Sequence, residues 1–515
     1  MPIVTDFDLG ASLAAIAPVI GLTILATVVL FLDAYLGAKH RRNIAYVAAF
    51  GAAAIAITPL IWMPQATTVF WGGTIVYDGV TQIFQVMVCL AGSIACLMAI
   101  DDSGTKNRGE YHLIVLISTL GACLLVASND LIMIFIALET VSIPLYILAS
   151  FNRTNERSAE SGLKYFLFGS FASAILLFGF SLLFGFTGDT NITAIAASLV
   201  SGDIIGNNLV PVIIALVFVL VGFGFKISVV PFHFWTPDVY EGAPTPVTAF
   251  ISVASKAASF ALLMRFLVVV FPSTLVLNGV DVQNIWINFI AFIAVISMTF
   301  GNVLALRQTN IKRMLAYSSI AQAGYTLVGI ASLRVGSTVE MSIANAEFGV
   351  SSTAFYLFMY TFSNLLIFAG IVLFSEATGS EDIKDLAGIQ RRSPWLALAM
   401  TISLLSLAGI PPAAGFFGKF FLFQAAVNSG LTGLAMIGVL NSIVALYYYL
   451  VVIKIMYVDQ GKNEDQPIAI TRPYAWVLGI TSVVVLFLGI APTQIIDWAR
   501  EGAKAIQIAL STRIL

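Results

Sequence analysis

Apolar residues run along this chain in long blocks separated by short polar turns. A membrane-spanning helix needs about 20 consecutive, mostly apolar residues. Fourteen segments have that character: 11–33, 44–62, 78–100, 112–128, 130–150, 162–187, 209–235, 246–270, 284–303, 313–332, 350–375, 396–425, 431–456 and 473–494. The pattern predicts an all-α polytopic membrane protein with about 14 transmembrane helices. The seventh and twelfth segments are overlong and interrupted. The seventh carries Gly222, Gly224, Lys226 and Pro231; the twelfth carries Gly409-Ile410-Pro411-Pro412, then Gly415 and Gly418 before Lys419. Proline removes a backbone donor and clashes with the preceding turn. Broken backbone at membrane depth is tolerated only where protein or a wet cavity satisfies it.

The two breaks lie five segments apart, and each is followed by one more helix. Segments 4–8 and 9–13 are therefore expected to form two five-helix units. An odd number of helices per unit turns the second over relative to the first. Inverted repeats that meet at broken helices are a transporter signature. The expected division is 1–110 for three N-terminal helices, 111–272 and 273–458 for the two units, and 459–515 for a last helix and tail.

Composition and charge sharpen this picture. Of 515 residues, 59% are hydrophobic and only 10% charged, and mean hydropathy is +0.96. Soluble domains carry about 25% charged residues, so the blocks cannot be cores of soluble domains. With the N-terminus placed outside, seventeen of the 25 Lys and Arg fall in inner loops, among them Lys39, Arg41, Arg42, Arg157, Lys164, Lys312, Arg313 and Lys462. The outer loops hold Arg334, and the tail holds Arg500, Lys504 and Arg513. This is a positive-inside distribution, and it fits an even helix count. The net charge of −2 comes with no basic tract, which argues against nucleic-acid binding. Three cysteines (Cys89, Cys96, Cys123) and three histidines (His40, His112, His233) are scattered. Their spacing predicts no disulfide framework, metal site, iron–sulfur cluster or haem on this chain. The first segment is too long for a signal-peptide core and is expected to remain. From Thr493 onward the apolar and charged residues alternate as in an interfacial amphipathic helix.

The chemistry rests on the charges left inside the segments. An ionisable group at membrane depth is costly and is a functional candidate by default. Glu139 lies halfway along the fifth segment, Lys226 just before the break in the seventh, Lys256 mid-way along the eighth and Lys419 after the break in the twelfth. Glu139, Ser142, Tyr146 and Ser150 share one helical face, as do Thr248, Ser252, Lys256 and Ser259. Ser318, Gln322 and Tyr325, and likewise Tyr356, Tyr360 and Asn364, extend the polar positions; they fit a hydrated path or helix-to-helix bonding equally. His233 borders a break, where a proton relay and a packing role both fit. Lys164 and Arg265 lie near segment ends, where such side chains reach the interface. A reference lysine titrates at about 10.4, and burial can bring such a group down to about 5–6. A carboxylate about 6 Å away, at an effective dielectric of about 20, adds roughly 2.8 kcal/mol of attraction. Shifting Glu139 relative to Lys226 would therefore switch a lysine between holding and releasing a proton, with no cofactor.

Three motifs carry a family resemblance. They are Gly224-Phe225-Lys226 with Val230-Pro231-Phe232-His233-Phe234-Trp235-Thr236-Pro237-Asp238-Val239-Tyr240-Glu241-Gly242-Ala243-Pro244-Thr245-Pro246, the run Lys312-Arg313-Met314-Leu315-Ala316-Tyr317-Ser318-Ser319, and Gly409-Ile410-Pro411-Pro412 ending in Lys419. Together they resemble the antiporter-like membrane subunits of respiratory complex I. The resemblance spans nearly the whole chain, with the first 110 residues contributing least. It implies fourteen helices with inverted five-helix repeats and discontinuous helices 7 and 12. It implies that Glu139 modulates Lys226, that Lys256 links the halves, and that Lys419 serves an outer half-channel. M-like siblings usually carry a glutamate where Lys419 stands, and L-like siblings continue into a long lateral helix. The resemblance further implies K-like and M-like neighbours, the lateral helix of an L-like subunit and a peripheral redox arm. FMN, iron–sulfur clusters, NADH and quinone would belong to those partners. The expected location is a bacterial plasma (inner) membrane, with a thylakoid membrane as the alternative. Na⁺/H⁺ antiporter and energy-converting hydrogenase subunits share the pattern, so those functions stay open.

Overall fold

The computed structural model describes residues 9–37, 40–61, 67–106, 108–202, 208–333, 339–461 and 465–511, without the side chains of 339–343 and 504–511. Lys39, Arg334, Lys462 and Arg513, and the side chain of Lys504, lie outside the described residues.

The long helices are α1 (Ala17–Tyr35), α2 (Arg41–Ile55), α3 (Gly79–Met98), α4 (Gly109–Ala127), α5 (Leu131–Ala149) and α6 (Glu156–Thr187). Helix α7 is broken into Leu209–Ile227 and Trp235–Gly242. Next come α8 (Thr245–Val270), α9 (Val282–Ala305), α10 (Ile311–Ala331) and α11 (Val339–Thr378). Helix α12 is broken into Pro394–Ala408 and Gly415–Asn428. The chain ends with α13 (Thr432–Tyr457), α14 (Arg472–Ile490) and α15 (Thr493–Ser511). Among the described residues, twelve helices are long and apolar enough to cross a membrane. The tenth and twelfth expected segments fall outside that set. Helix α10 carries Lys312, Arg313 and several polar residues, and α12 is split by its Gly-Ile-Pro-Pro run. The only strands among the described residues are two short hairpins, Thr68–Phe70 with Ile75–Tyr77 and Val276–Leu277 with Val280–Asp281.

Short polar side chains set where helices start, because the first backbone N–H groups of a helix have no partner within it. Asp78 accepts from Thr81 N at 2.8 Å to open α3, and Asp130 from Ile132 N at 2.9 Å to open α5. Asn155, Asn208, Asp281 and Asn310 do the same for α6, α7, α9 and α10. Small residues set how closely helices pack. A Cβ on Gly324 would sit 2.7 Å from Met298 N, so α9 and α10 touch backbone to backbone.

Helices α3, α8 and α11 are almost wholly buried and form the centre. Their neighbours expose apolar side chains such as Phe171, Ile143 and Val483 toward the bilayer. The halves that follow the two breaks end on opposite sides of the bundle. The short half of α7 ends among the inner loops, where Asp238 pairs with Lys164 and Arg313 at 2.6 and 2.8 Å. The short half of α12 ends at Ser429, which donates to Ser332 O beyond the far end of α10.

Two charged residues depart from expectation. Arg265 does not reach the outer surface. It is buried and pairs with Asp78 at 2.9 Å, also donating to Thr81 Oγ1 at 3.0 Å. The α3 cap thus carries a counter-charge that fixes Arg265. Lys164 stays half-exposed at its helix end, yet it is pinned by Glu160 and Asp238, each at 2.6 Å. The tail helix α15 also does more than lie in the interface. Ile496, Ala499 and Ala503 are buried, and Trp498 packs edge-on against Phe358 of α11. A Cβ on Gly79 would come within 2.2 Å of Gly502 Cα, so α15 presses onto the start of α3.

Removing one partner of a buried ion pair leaves an uncompensated charge and destabilises by about 3–5 kcal/mol. Asp78→Ala should therefore lower the unfolding midpoint strongly. A thiol-reactive dye would report it, since Cys89, Cys96 and Cys123 are free and buried in the fold. The double variant Asp78→Leu/Arg265→Met should recover most of the loss. Equal instability of both variants would count against the pair.

Candidate functional site

Glu139 sits on α5 and accepts a hydrogen bond from Ser173 of α6 at 2.7 Å. Lys226 occupies the last turn of the first half of α7, where a cation faces the negative end of the helix dipole. Its Nζ donates to Ser142 Oγ at 2.5 Å and lies 3.4 Å from Tyr146 OH, both on α5. No Lys226–carboxylate contact within 4.0 Å occurs among the described residues; Glu139 and Ser142 share one face of α5, and it is Ser142 that the lysine bonds. After Ile227 the backbone turns at Ser228 (φ 62), and Trp235 restarts the helix. The break docks onto α9 through Val230 N, which donates to Ser297 Oγ at 3.1 Å.

An aromatic group separates Lys226 from Lys256. Tyr146 meets Tyr165 edge-on at 4.9 Å, Tyr165 stacks on Trp235 at 4.4 Å, and Trp235 meets Tyr240 at 6.4 Å. Lys256 Nζ lies 5.8 Å from the centre of the Tyr240 ring. Just before Lys256, residues Ile251–Ser255 form a wider π-helical turn in α8. Such turns are frequent at functional sites.

From Lys256 onward the contacts are polar. Lys256 Nζ donates to Ser319 Oγ at 2.6 Å. That hydroxyl also meets Tyr360 OH at 2.7 Å and Tyr240 OH at 3.3 Å. Asn364 Nδ2 reaches Tyr360 OH at 3.3 Å and Ser252 Oγ at 2.5 Å. The adjacent Ser318 bonds Tyr449 OH, and Gln322 joins Tyr449 (3.3 Å) and Tyr356. Gln322 Nε2 then donates to Leu407 O at 3.2 Å, while Lys419 Nζ donates to the next carbonyl, Ala408 O, at 2.9 Å. Both carbonyls belong to the open end of the first half of α12. Lys419 also lies 4.8 Å from the centre of the Tyr325 ring, and Tyr325 OH accepts from Asn302 Nδ2 at 3.1 Å.

The structure thus forms two bonded clusters, one around Lys256 and Ser319 and one around Ser318, Tyr449 and Gln322, which adjoin at the consecutive residues Ser318 and Ser319; Lys419 bonds the carbonyl next to the one that Gln322 takes, and Glu139 and Lys226 lie at the aromatic end. It does not bring His233 into either cluster. That ring lies against Phe234 and Phe300, with Nδ1 unpartnered. Sequence reading passed over Ser173, Tyr165, Tyr240, Asn302 and Tyr449 as members. The signal was present for Asn302, an amide inside an apolar helix, and for Tyr449, in a Tyr-Tyr-Tyr run within α13.

A family model described as "NADH:quinone oxidoreductase/Mrp antiporter, TM" matches residues 128–445. The chain belongs to this family. It is 41% identical over 507 residues to NADH-quinone oxidoreductase subunit N of Trichlorobacter lovleyi, covering 96% of this chain and 98% of that one. It is 44% identical over 455 residues to NAD(P)H-quinone oxidoreductase subunit 2 of Trichormus variabilis, covering 87% and 83%. Among solved structures it is similar to a chain of respiratory complex I from Thermus thermophilus with bound aureothin, at 30% identity and a TM-score of 0.75, covering 94% of this chain and 100% of that one. The matched span contains Glu139, Lys226, Lys256 and Lys419. The family membership suits an interior where buried ammonium groups are solvated by hydroxyls and helix-end carbonyls.

Gly409 caps the first half of α12 at φ 88, and a Cβ there would meet Lys419 Cδ at 3.0 Å. A non-glycine residue in this conformation costs about 1–3 kcal/mol. Gly409→Val should lower the dye-detected unfolding midpoint, whereas Gly433→Ala, in open space near the start of α13, should leave it level or raise it slightly. An unchanged Gly409→Val midpoint would show that the break tolerates a side chain.

Proposed function

We propose that this chain is a proton-translocating membrane subunit of an NADH:quinone oxidoreductase. The observation that carries the reading is the row of buried lysines, each met by a neutral oxygen and two of them flanking adjoining clusters of hydroxyls and amides, in a chain whose relatives are named as subunits of that enzyme. Lys226, Lys256 and Lys419 are the proton carriers, and Glu139 modulates Lys226. His233, beside the break in α7, is a candidate relay. Helices α4–α8 and α9–α13 act as two inverted units, with α1–α3 before them and α14 and α15 after them. NADH, FMN, iron–sulfur clusters and quinone are held by partner subunits in a peripheral arm. K-like and M-like membrane neighbours and an L-like lateral helix flank this chain in the plasma membrane of a bacterium.

The mechanism follows from how each ammonium is held. A lysine bonded to neutral oxygens has its charge solvated but not cancelled by contact. Movement of Glu139 toward Lys226 favours the protonated form; movement away favours release. A proton leaving Lys226 must pass the Tyr146–Tyr165–Trp235 group, which separates it from Lys256 until water enters. From Lys256 the proton passes the clusters of Ser319 and of Ser318, Tyr449 and Gln322, with water bridging the gaps between them and the last gap to Lys419. The open end of α12 then presents the proton to the outer side.

The family also contains Mrp antiporters, so the native assembly decides between redox-driven pumping and cation exchange. A tagged chain purified with flavin and iron–sulfur subunits and inhibitor-sensitive NADH:quinone activity is the expected result. A redox-free assembly with Na⁺-dependent proton exchange would replace the reading. Within an assembled complex, Lys226→Ala should cut coupled NADH oxidation and proton pumping by roughly tenfold or more. NADH oxidation by an artificial acceptor should be unchanged. Normal pumping by that variant would remove Lys226 from the path.

A further inference from the structure

A cavity of about 500 Å³ opens among the inner loops, and neither broken helix ends in it alone. It is walled by the loop after α3, the start of α6, the α7–α8 turn, the start of α10 and the end of α11. Two of its charged groups are almost completely buried: Asp102 (6% exposed) and Lys312 (3% exposed). Lys312 is committed, donating to Ala243 O at 2.9 Å and pairing with Glu381 at 2.8 Å. Asp102 is not. Its Oδ2 accepts from Thr105 Oγ1 at 2.8 Å, and no cation pairs with it among the described residues. A buried carboxylate without a counter-ion is costly and tends to take up a proton, here from the cavity it faces.

The cavity touches the foot of α8. Gly104 packs against Pro244 next to Asp102, and Thr245 lines the wall. From Thr245 the hydroxyls of Thr248 and Ser252 follow at i+3 and i+7 on one face, rising about 10 Å along the helix. Ser252 accepts from Asn364, and Asn364 leads through Tyr360 and Ser319 to Lys256. All of these side chains are buried. Single waters between the three α8 hydroxyls, and one passing the Asn364 amide from Ser252 to Tyr360, would complete a continuous line from the inner phase to Lys256.

We propose that Asp102 and this cavity are a proton intake serving Lys256 directly along α8, separate from the Glu139–Lys226 pair. The proposal rests on the translocation reading above. It makes the loop between α3 and α4, in the stretch of sequence least like the family's motifs, part of the proton path. The transfer is a relay: Asp102 takes a proton from inner water, passes it to the hydroxyl line, and is reloaded from the cavity.

The charges around Asp102 fit this role. Burial pushes its carboxyl up to about 6; the Thr105 hydroxyl holds it down, Glu376 raises it, and Lys312 and the Gly104 amide lower it. Glu376 of α11 is itself held by Ser103 N at 2.9 Å and Ser103 Oγ at 2.7 Å. Tyr111 of α4 and Tyr474 of α14 face the same carboxyl, with Asp101 beside it. Arg157, Glu241, Glu381 and Asp382 complete the charged lining. Above pH 6 the carboxylate is mostly unloaded and draws protons from the cavity; below it, bulk protons are plentiful and a carrier adds little.

The test uses the whole complex in inverted vesicles, so that the inner face meets the buffer. NADH-driven proton uptake and quinone reduction are followed from pH 6 to 8.5 for wild type, Asp102→Asn, Asp102→Glu and Thr248→Val. Expected is a fall in coupled rate of roughly tenfold for Asp102→Asn at the alkaline end, with little effect at the acid end. This is below the hundredfold or more of a positioned acid–base group, because water still fills the cavity. Asp102→Glu should restore the profile, and Thr248→Val should reproduce the alkaline loss with the complex fully assembled. A uniform loss across pH, or Thr248→Val and Asp102→Asn matching wild type while Lys226→Ala is inactive, overturns the intake and leaves the translocation reading standing. If Lys226→Ala and Lys256→Ala also pump normally, the translocation reading itself has failed. Should Asp102→Asn not assemble, Thr248→Val and Ser252→Ala carry the decision alone.

Discussion

A lysine ammonium inside an apolar bundle must be met by oxygen, and how each one is met organises this protein. Two kinds of solution coexist. Arg265 with Asp78, Lys312 with Glu381, and Lys164 with Asp238 are contact ion pairs at 2.9, 2.8 and 2.6 Å. Lys226, Lys256 and Lys419 instead bond a serine hydroxyl, another serine hydroxyl and a backbone carbonyl. A contact carboxylate would hold the proton on nitrogen through the cycle. A neutral oxygen solvates the charge for about 1.5–3 kcal/mol and leaves the proton free to go when the field changes. The first set therefore fastens helices, and the second can carry protons.

The broken helices supply the oxygens that unbroken ones withhold. In a continuous helix each carbonyl is bonded four residues on. At Ala408 the helix stops, its last carbonyls stay open, and Lys419 and Gln322 take adjacent ones. Gly409, at φ 88, makes that stop compact. At Ile227 the helix also stops, and Lys226 sits in its last turn. The prolines at 231, 411 and 412 keep the ends from closing again. At Lys419 the charge and the helix break are thus one device, the break providing a carbonyl that the bilayer cannot, whereas Lys226 is met by Ser142 and Tyr146 of α5.

Much of this was legible in the residues. Apolar blocks gave the helices, Gly and Pro gave both breaks, and the isolated Lys and Glu positions marked the centre of the site. Periodicity placed Ser142 with Lys226's helix partner and Ser252 with Lys256. Contacts between distant segments were not legible. Nothing in spacing says that Ser319 rather than Ser318 meets Lys256, or that Tyr449 of α13 bonds Ser318. Arg265 looked like an interfacial residue because its partner lies 187 positions away, at the cap of α3. Tyr165 and Trp235 read as core aromatics, and only their stacking shows that they separate two lysines.

The N-terminal helices complete the centre of the bundle. Helices α8 and α11 are almost wholly buried and need covering on every side. Helix α3 covers one of those sides: it is almost wholly buried, its cap neutralises Arg265 on α8, and its start is clamped by α15 at Gly79 and Gly502. Trp498 of α15 lies against both Gln82 of α3 and Phe358 of α11. The first and last parts of the chain therefore close over the same central helices. Helix α8, which carries Lys256, is fixed at its outer end by an ion pair, and the five residues directly before the lysine form its buried π-helical turn.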